Sequence, residues 1–301
     1  MNYIDITEKK ILDAEKAHYT GIIDDIYSRI DKITNLYVKC IFDKYINPYL
    51  DIIIKGNPNQ LLECHNRIEP YLIPTIANNI QEVFKYQGWF DQKKKTKYDA
   101  YNLASNLEIP TCTYCNRLYT KTVISSSKIT RPTFDHWYSK GDFPLLALSF
   151  YNLIPSCNVC NSSVKGSDLF NLKTHFHPYH KSLIDDEKIN FNFSYDHKDY
   201  SDFKFKIKNN NTFSKNSTEA FKLKEIYKTH EDEITDLRRL RDIYSHKYLE
   251  ILKTKILKGT STSDEEIYRL AFGTHIDETK FDRRPLSKMK KDILIELGII
   301  K

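Results

Sequence analysis

The chain has 301 residues, 40% of them hydrophobic and 29% charged, with a formal net charge of +6. Two or three units around a real apolar core are expected at that length, and the composition is that of a globular chain, not a disordered one. No run of about 18 apolar residues occurs, which excludes a membrane-spanning helix, and the opening MNYIDITEKKILD is polar and acidic where a secretory leader is basic and then apolar; a cytoplasmic protein is expected.

In chain order, residues 4–47 place Ile23, Ile26, Tyr27, Ile30, Ile33, Tyr37, Cys40 and Ile41 on one stripe, which predicts a long amphipathic helix broken once. Gly56-Asn57-Pro58 marks a turn, after which helices are expected over 60–70 and, opened by Pro74, over 74–88. Lys93-Lys94-Lys95 reads as a solvated loop, and a helix over 98–107 leads to Pro110, so residues 1–109 form a helical region. Strands are expected over 131–136 and 151–155, joined by an apolar loop that packs over them, with a helix following that carries Asn161 and Lys165 on one face. From 189 to 207 strict alternation of aromatic and polar residues predicts a β-hairpin. Helical periodicity then runs from Ser217 to Leu257, and again over 264–272 and 287–297, stopped by Gly273 and Gly298. The expected fold class is α+β and mainly helical: a small centre at 110–181 between the helical region 1–109 and a hairpin-plus-helices region at 182–301.

The chemistry concentrates in that centre. Cys112 and Cys115 form one CxxC pair and Cys157 and Cys160 another. Four thiolates on two tight knuckles suit a closed tetrahedral Zn²⁺ site of structural type. Cys40, on the apolar stripe, and Cys64 read as core residues. Between and just after the pairs stand Asp135-His136, Asn152 and Asn161. An acidic residue beside a histidine, followed by asparagines, is what a single hard cation and a general base need to cut a phosphodiester. His136 is the candidate base, because an imidazole accepts a proton near neutrality. Asp135 and Asn161 offer oxygen ligands to one Mg²⁺ or Mn²⁺. The plain alternatives are a salt bridge from Asp135 to Arg131 or Lys165, a turn role for Asn152 and a helix cap for Asn161. Residues 110–181 carry eight Lys or Arg against three Asp, nearly all of the net charge, as a phosphate backbone would require. Arg117, Arg131, Lys140 and Lys165 are the candidate contacts. His175, His177 and His180 are closely spaced in a Pro-containing loop, which gives them no common face, so surface or packing roles are expected of them ahead of metal binding.

The order of these residues, in the stretch FDHWYSKGDFPLLALSFYNLIPSCNVCNSSVKG, resembles the HNH endonuclease family with its ββα-metal fold and zinc knuckles. The resemblance covers residues 110–181. More distantly, that stretch and the tail RRPLSKMKKDILIELGI resemble HNH proteins of bacterial antiphage defence, including those that work beside an ATPase of the Septu type. The resemblance implies a metal-dependent endonuclease acting on DNA, with RNA left open, and products bearing 5′-phosphate and 3′-hydroxyl ends. It implies that Asn152 ties down the loop that orients His136. Where some members carry a further histidine ligand this chain has Lys165, which implies two protein ligands for the catalytic ion and a phosphate contact for the lysine. An ATPase or sensor protein of a defence operon is the implied partner. The rival reading is a non-catalytic zinc-knuckle module that binds nucleic acid or docks a partner.

Overall fold

The computed structural model describes residues 1–91, 98–166, 169–197, 203–244, 250–259 and 261–300; the lysine run at 93–95 lies outside them. The chain opens with α1 (Lys9–Ile30), whose Ile11, Ala14, His18, Ile22, Ile26 and Ile30 recur every three or four residues and form its buried face. Across that face packs α6 (Ala100–Leu107), capped by the Asp99 side chain on Tyr101 N and Asn102 N. Gly21 permits the approach, since a Cβ there would meet the Tyr98 ring at 2.3 Å.

The predicted break falls after Ile30, and α2 (Leu36–Ile41) restarts from an Asn35 cap. The restart rephases the helix. Its buried face is Val38, Ile41, Phe42 and Ile46, while Tyr37 and Cys40 are exposed, so Cys40 is not the core residue that one uninterrupted stripe made it. Cys64 is buried as expected. α3 (Leu50–Lys55), α4 (Pro58–Ile68, with an Asn57–Gln60 capping box) and α5 (Pro74–Val83) complete the helical layer. α5 ends five residues short of the expected Gly88; the chain turns extended at Gln87 and takes φ +73° at Gly88.

A short hairpin of β1 (Val123–Ile124) and β2 (Lys128–Thr130) precedes the central pair, β3 (Thr133–His136) and β4 (Leu153–Ser156). β3 and β4 run antiparallel, with Asp135 opposite Ile154 and His136 opposite Leu153. β3 starts two residues later than expected, because Pro132 has no N–H to give a ladder. A tight turn at Phe150–Asn152 likewise delays β4. Val159–Lys165 winds as a wide, π-type turn after the second cysteine pair.

The predicted hairpin is β5 (Phe191–His197) and β6 (Phe203–Asn209), with Phe191, Phe193, Tyr195 and Phe205 buried. α7 (Thr212–Ala220), α8 (Leu223–Lys228) and α9 (Glu231–Tyr244) follow, then α10 (Asp264–Phe272) and α11 (Ser287–Glu296). α10 ends at Gly273 in the left-handed region, φ +66°. α11 lies against β5, where Asp292 accepts from Phe193 N at 2.9 Å. The described fold is thus mainly helical with small antiparallel strand pairs. Among the described residues, no helix is long and apolar enough to cross a membrane.

Candidate metal centre and active-site cleft

Cys112, Cys115, Cys157 and Cys160 are all buried, with their sulfurs within 4.8 Å of one another. The knuckles also turn N–H groups toward sulfur: Arg117 N lies 3.4 Å from Cys115 Sγ and Cys160 N 3.5 Å from Cys157 Sγ. Four converging thiols with no carboxylate or imidazole among them suit a soft, tetrahedral, closed site, compatible with structural zinc. Asn116, at φ +49°, turns the first knuckle. Its side chain donates to Phe281 O at 2.7 Å and accepts from Ser287 N at 3.1 Å, and its backbone carbonyl accepts from Leu286 N at 2.7 Å. The start of α11 is thereby sealed onto the cysteine cluster.

Asp135 and His136 close β3 beside this cluster. The Asp135 side chain is almost wholly enclosed: Tyr114 donates to Oδ2 at 2.6 Å, and the Lys165 ammonium lies 3.3 Å from Oδ1. Burial raises its pKa, and the Lys165 charge and the Tyr114 hydroxyl pull the other way. Lys165 is itself 1% exposed and donates to His136 O at 2.8 Å. The phosphate contact expected of it is therefore not available here. In the wide turn it leaves the face of Asn161 and points inward, meeting the acid of the doublet, one of the two salt bridges weighed for Asp135.

His136 Nε2 lies 3.0 Å from Ala147 O. A carbonyl can only accept, so Nε2 carries the proton and the lone pair of the neutral ring sits on Nδ1. Burial, reinforced by the Lys140 and Lys165 charges and opposed by the Ala147 carbonyl, lowers its pKa to about 3. The ring is neutral at pH 7. The Tyr86 ring meets it edge-on at 4.6 Å, bringing the helical region to the site.

The loop that supplies Ala147 O is fixed from two directions. Asn152, fully buried, accepts from Tyr138 N at 2.7 Å and donates to Tyr138 O and Leu146 O at 3.0 and 2.9 Å. From α1, His18 Nε2 reaches Leu148 O at 2.8 Å, so two histidines hold adjacent carbonyls of one loop.

A cleft of about 440 Å³ opens over this arrangement, lined among others by Arg131, Asp135, His136, Lys140, Asn161 and Tyr86. It gathers the candidate base, both candidate oxygen ligands and two of the four candidate cations. Asn161 donates to Phe134 O at a long 3.4 Å, and its carboxamide oxygen makes no hydrogen bond among the described residues. Arg131 donates to Pro132 O at 2.7 Å and to Asp91 O at 3.4 Å. Arg117 does not line the cleft; it follows the first knuckle on the side of Tyr227 and His230. A larger depression of about 720 Å³ along α1, between Asp13, Asp24 and Trp89, shares no lining residue with the cleft and offers no comparable set of groups.

Of the three clustered histidines, His177 is buried against Trp137 at 4.6 Å, with Nδ1 accepting from Tyr179 N at 3.1 Å. His175 stacks on Phe170 at 4.7 Å. Neither joins the cysteines, and the packing expectation agrees with what surrounds them. Tyr114, Tyr86 and His18 were not among the sequence candidates. A tyrosine between cysteines or a histidine on an apolar stripe carries no signal beyond core packing. Comparison with family models, with curated proteins and with solved structures returned no match to the chain.

Proposed function

We propose that this chain is an endonuclease of HNH type that hydrolyses phosphodiester bonds in DNA, with a structural zinc ion in the four-cysteine cluster. The observation that carries the reading is the His136 imidazole, fixed as its Nε2–H tautomer by Ala147 O at the floor of a cleft that also holds Asp135 and Asn161. In that tautomer Nδ1 offers its lone pair to an attacking water, and burial, which lowers the ring's pKa to about 3, opposes the charge that it would gain. Arg131 and Lys140 at the cleft attract a polyanion. The antiphage setting and an ATPase or sensor partner rest on the sequence resemblance alone.

The donor set fits a hard divalent cation. Tyr114 and Lys165 occupy one lone-pair position on each Asp135 oxygen, leaving the others, and Asn161 adds a neutral oxygen. Asp135 and Asn161 would hold Mg²⁺ or Mn²⁺, which would supply charge neutralisation at the phosphoryl oxygens. The same pairing of Asp135 with Lys165 favours a second reading, in which the doublet is structural and the chain is a non-catalytic zinc-knuckle module for nucleic acid or a partner.

Incubation of supercoiled plasmid with the purified chain in Mg²⁺, Mn²⁺ or EDTA at low salt, beside His136→Ala, separates the two. Metal-dependent nicking lost in the variant is expected. Wild-type nicking by His136→Ala would sink the mechanism, and DNA binding without cleavage under any divalent ion would give the second reading.

A further inference from the structure

Each cysteine pair extends one side chain to the doublet. Tyr114 lies inside the first CxxC, and Lys165 ends the turn that follows the second. Their targets are complementary: Tyr114 Oη holds one Asp135 oxygen at 2.6 Å, while Lys165 Nζ faces the other at 3.3 Å and also donates to His136 O at 2.8 Å. The lysine therefore spans both members of the doublet, and the tyrosine fixes the carboxylate from the opposite oxygen. None of the three side chains is more than 4% exposed, so water cannot replace a lost partner. The Tyr114 ring is stacked on Phe221 at 4.1 Å, which leaves its hydroxyl little freedom to seek another acceptor.

We infer that Tyr114 and Lys165 are positioning residues that couple the four-cysteine cluster to the reacting groups, so that the metal cluster sets the orientation of Asp135 and His136 as well as closing the fold. The inference rests on the endonuclease reading for its catalytic consequence, and the geometric linkage is testable apart from it. A hydroxyl or ammonium that served folding alone would change the melting temperature and leave turnover per folded molecule untouched. A positioning role lowers turnover per folded molecule as well, whatever the change in melting temperature.

The test is Tyr114→Phe, which keeps the ring, its stacking and the knuckle and removes one oxygen; Lys165→Met and Lys165→Arg accompany it. Cobalt substitution reports the thiolate site by its absorption, plasmid nicking separates kcat from KM, and ¹⁵N resonances of the His136 ring report the doublet directly. Tyr114→Phe should keep the cobalt spectrum and the KM for plasmid, lose about tenfold or more in kcat as expected when a reacting group is misplaced, and shift the His136 resonances. Lys165→Arg should recover part of what Lys165→Met loses. Wild-type kcat with unmoved His136 resonances in Tyr114→Phe overturns the inference, whether or not the lysine variants fold. Should the wild-type chain show no His136-dependent cleavage, the endonuclease reading fails on its own account and the resonances decide the linkage: shifted supports it, unmoved overturns it.

Discussion

Acidification from pH 7 to pH 5 should cost the fold about 2 kcal/mol through a single side chain, His18. Its ring is fully enclosed among Phe90, Tyr98 and Phe150, with Nε2 on Leu148 O, and burial lowers its pKa to about 4 against an ordinary value of 6.5. The folded pKa lies below the unfolded one, so the stabilisation is complete above pH 6.5 and is lost as pH falls toward 4. At pH 5 the unfolded chain holds the proton and the folded chain mostly does not; 1.5 pH units at 1.36 kcal/mol each give roughly 2 kcal/mol. Urea unfolding at pH 7, 6 and 5, followed by the fluorescence of Trp89 and Trp137, measures it in wild type and in His18→Gln, which retains a donor for Leu148 O and cannot titrate. His136 and His177, both lowered by burial, destabilise in the same direction in both proteins and cancel in the comparison. Wild type should lose about 2 kcal/mol more than the variant. Parallel losses would refute the assignment of a neutral, buried His18.

Asn152→Ala removes three hydrogen bonds and orphans Tyr138 N and O in the buried loop, Leu146 O keeping Ser149 N, and should cost about 3 kcal/mol, read as a fall in the urea midpoint; a midpoint within error of wild type would show that the loop is held some other way. Stripping metal with a high-affinity chelator, or replacing Cys157 by Ser, should release the centre: Trp137, buried beside it and donating to Phe176 O at 2.8 Å, would red-shift, and near-UV dichroism would fall. Unchanged dichroism in the chelated protein would count against a structural metal.

The elements that periodicity could reach were legible, and their failures have local causes. Alternating aromatics at 191–197 and 203–209 can bury one face only as a strand pair, and the helix ends at Gly273 and Gly298 follow from glycine at positive φ. Cys40 was misplaced because a five-residue interruption after α1 changes the phase of everything behind it, which a continuous stripe cannot register. Lys165 was misplaced because spacing of four puts it beside Asn161 only on a regular α-helix; the wide turn at Val159–Lys165 breaks that rule and the long stem reaches inward. In the site, residue types whose chemistry is rare were visible: paired cysteines, an acid next to a histidine. What hold them, Tyr114, Tyr86 and His18, are ordinary aromatic residues whose role lies wholly in where long-range packing brings them.

The seal on Asn116 bears on biosynthesis. Besides a hydrogen bond to Thr111 Oγ1 at 3.1 Å, its amide takes its partners from residues 281–287, and Leu286, held at φ +62°, donates to its carbonyl. Those residues leave the ribosome well after both cysteine pairs. A nascent or C-terminally clipped chain that stops before Phe281 leaves the first knuckle with unpaired groups beside the cysteine cluster, and through Tyr114 beside the doublet. The cysteine-rich centre is thus finished only by residues far downstream of it, and a fragment that lacks them is left with an unfinished knuckle.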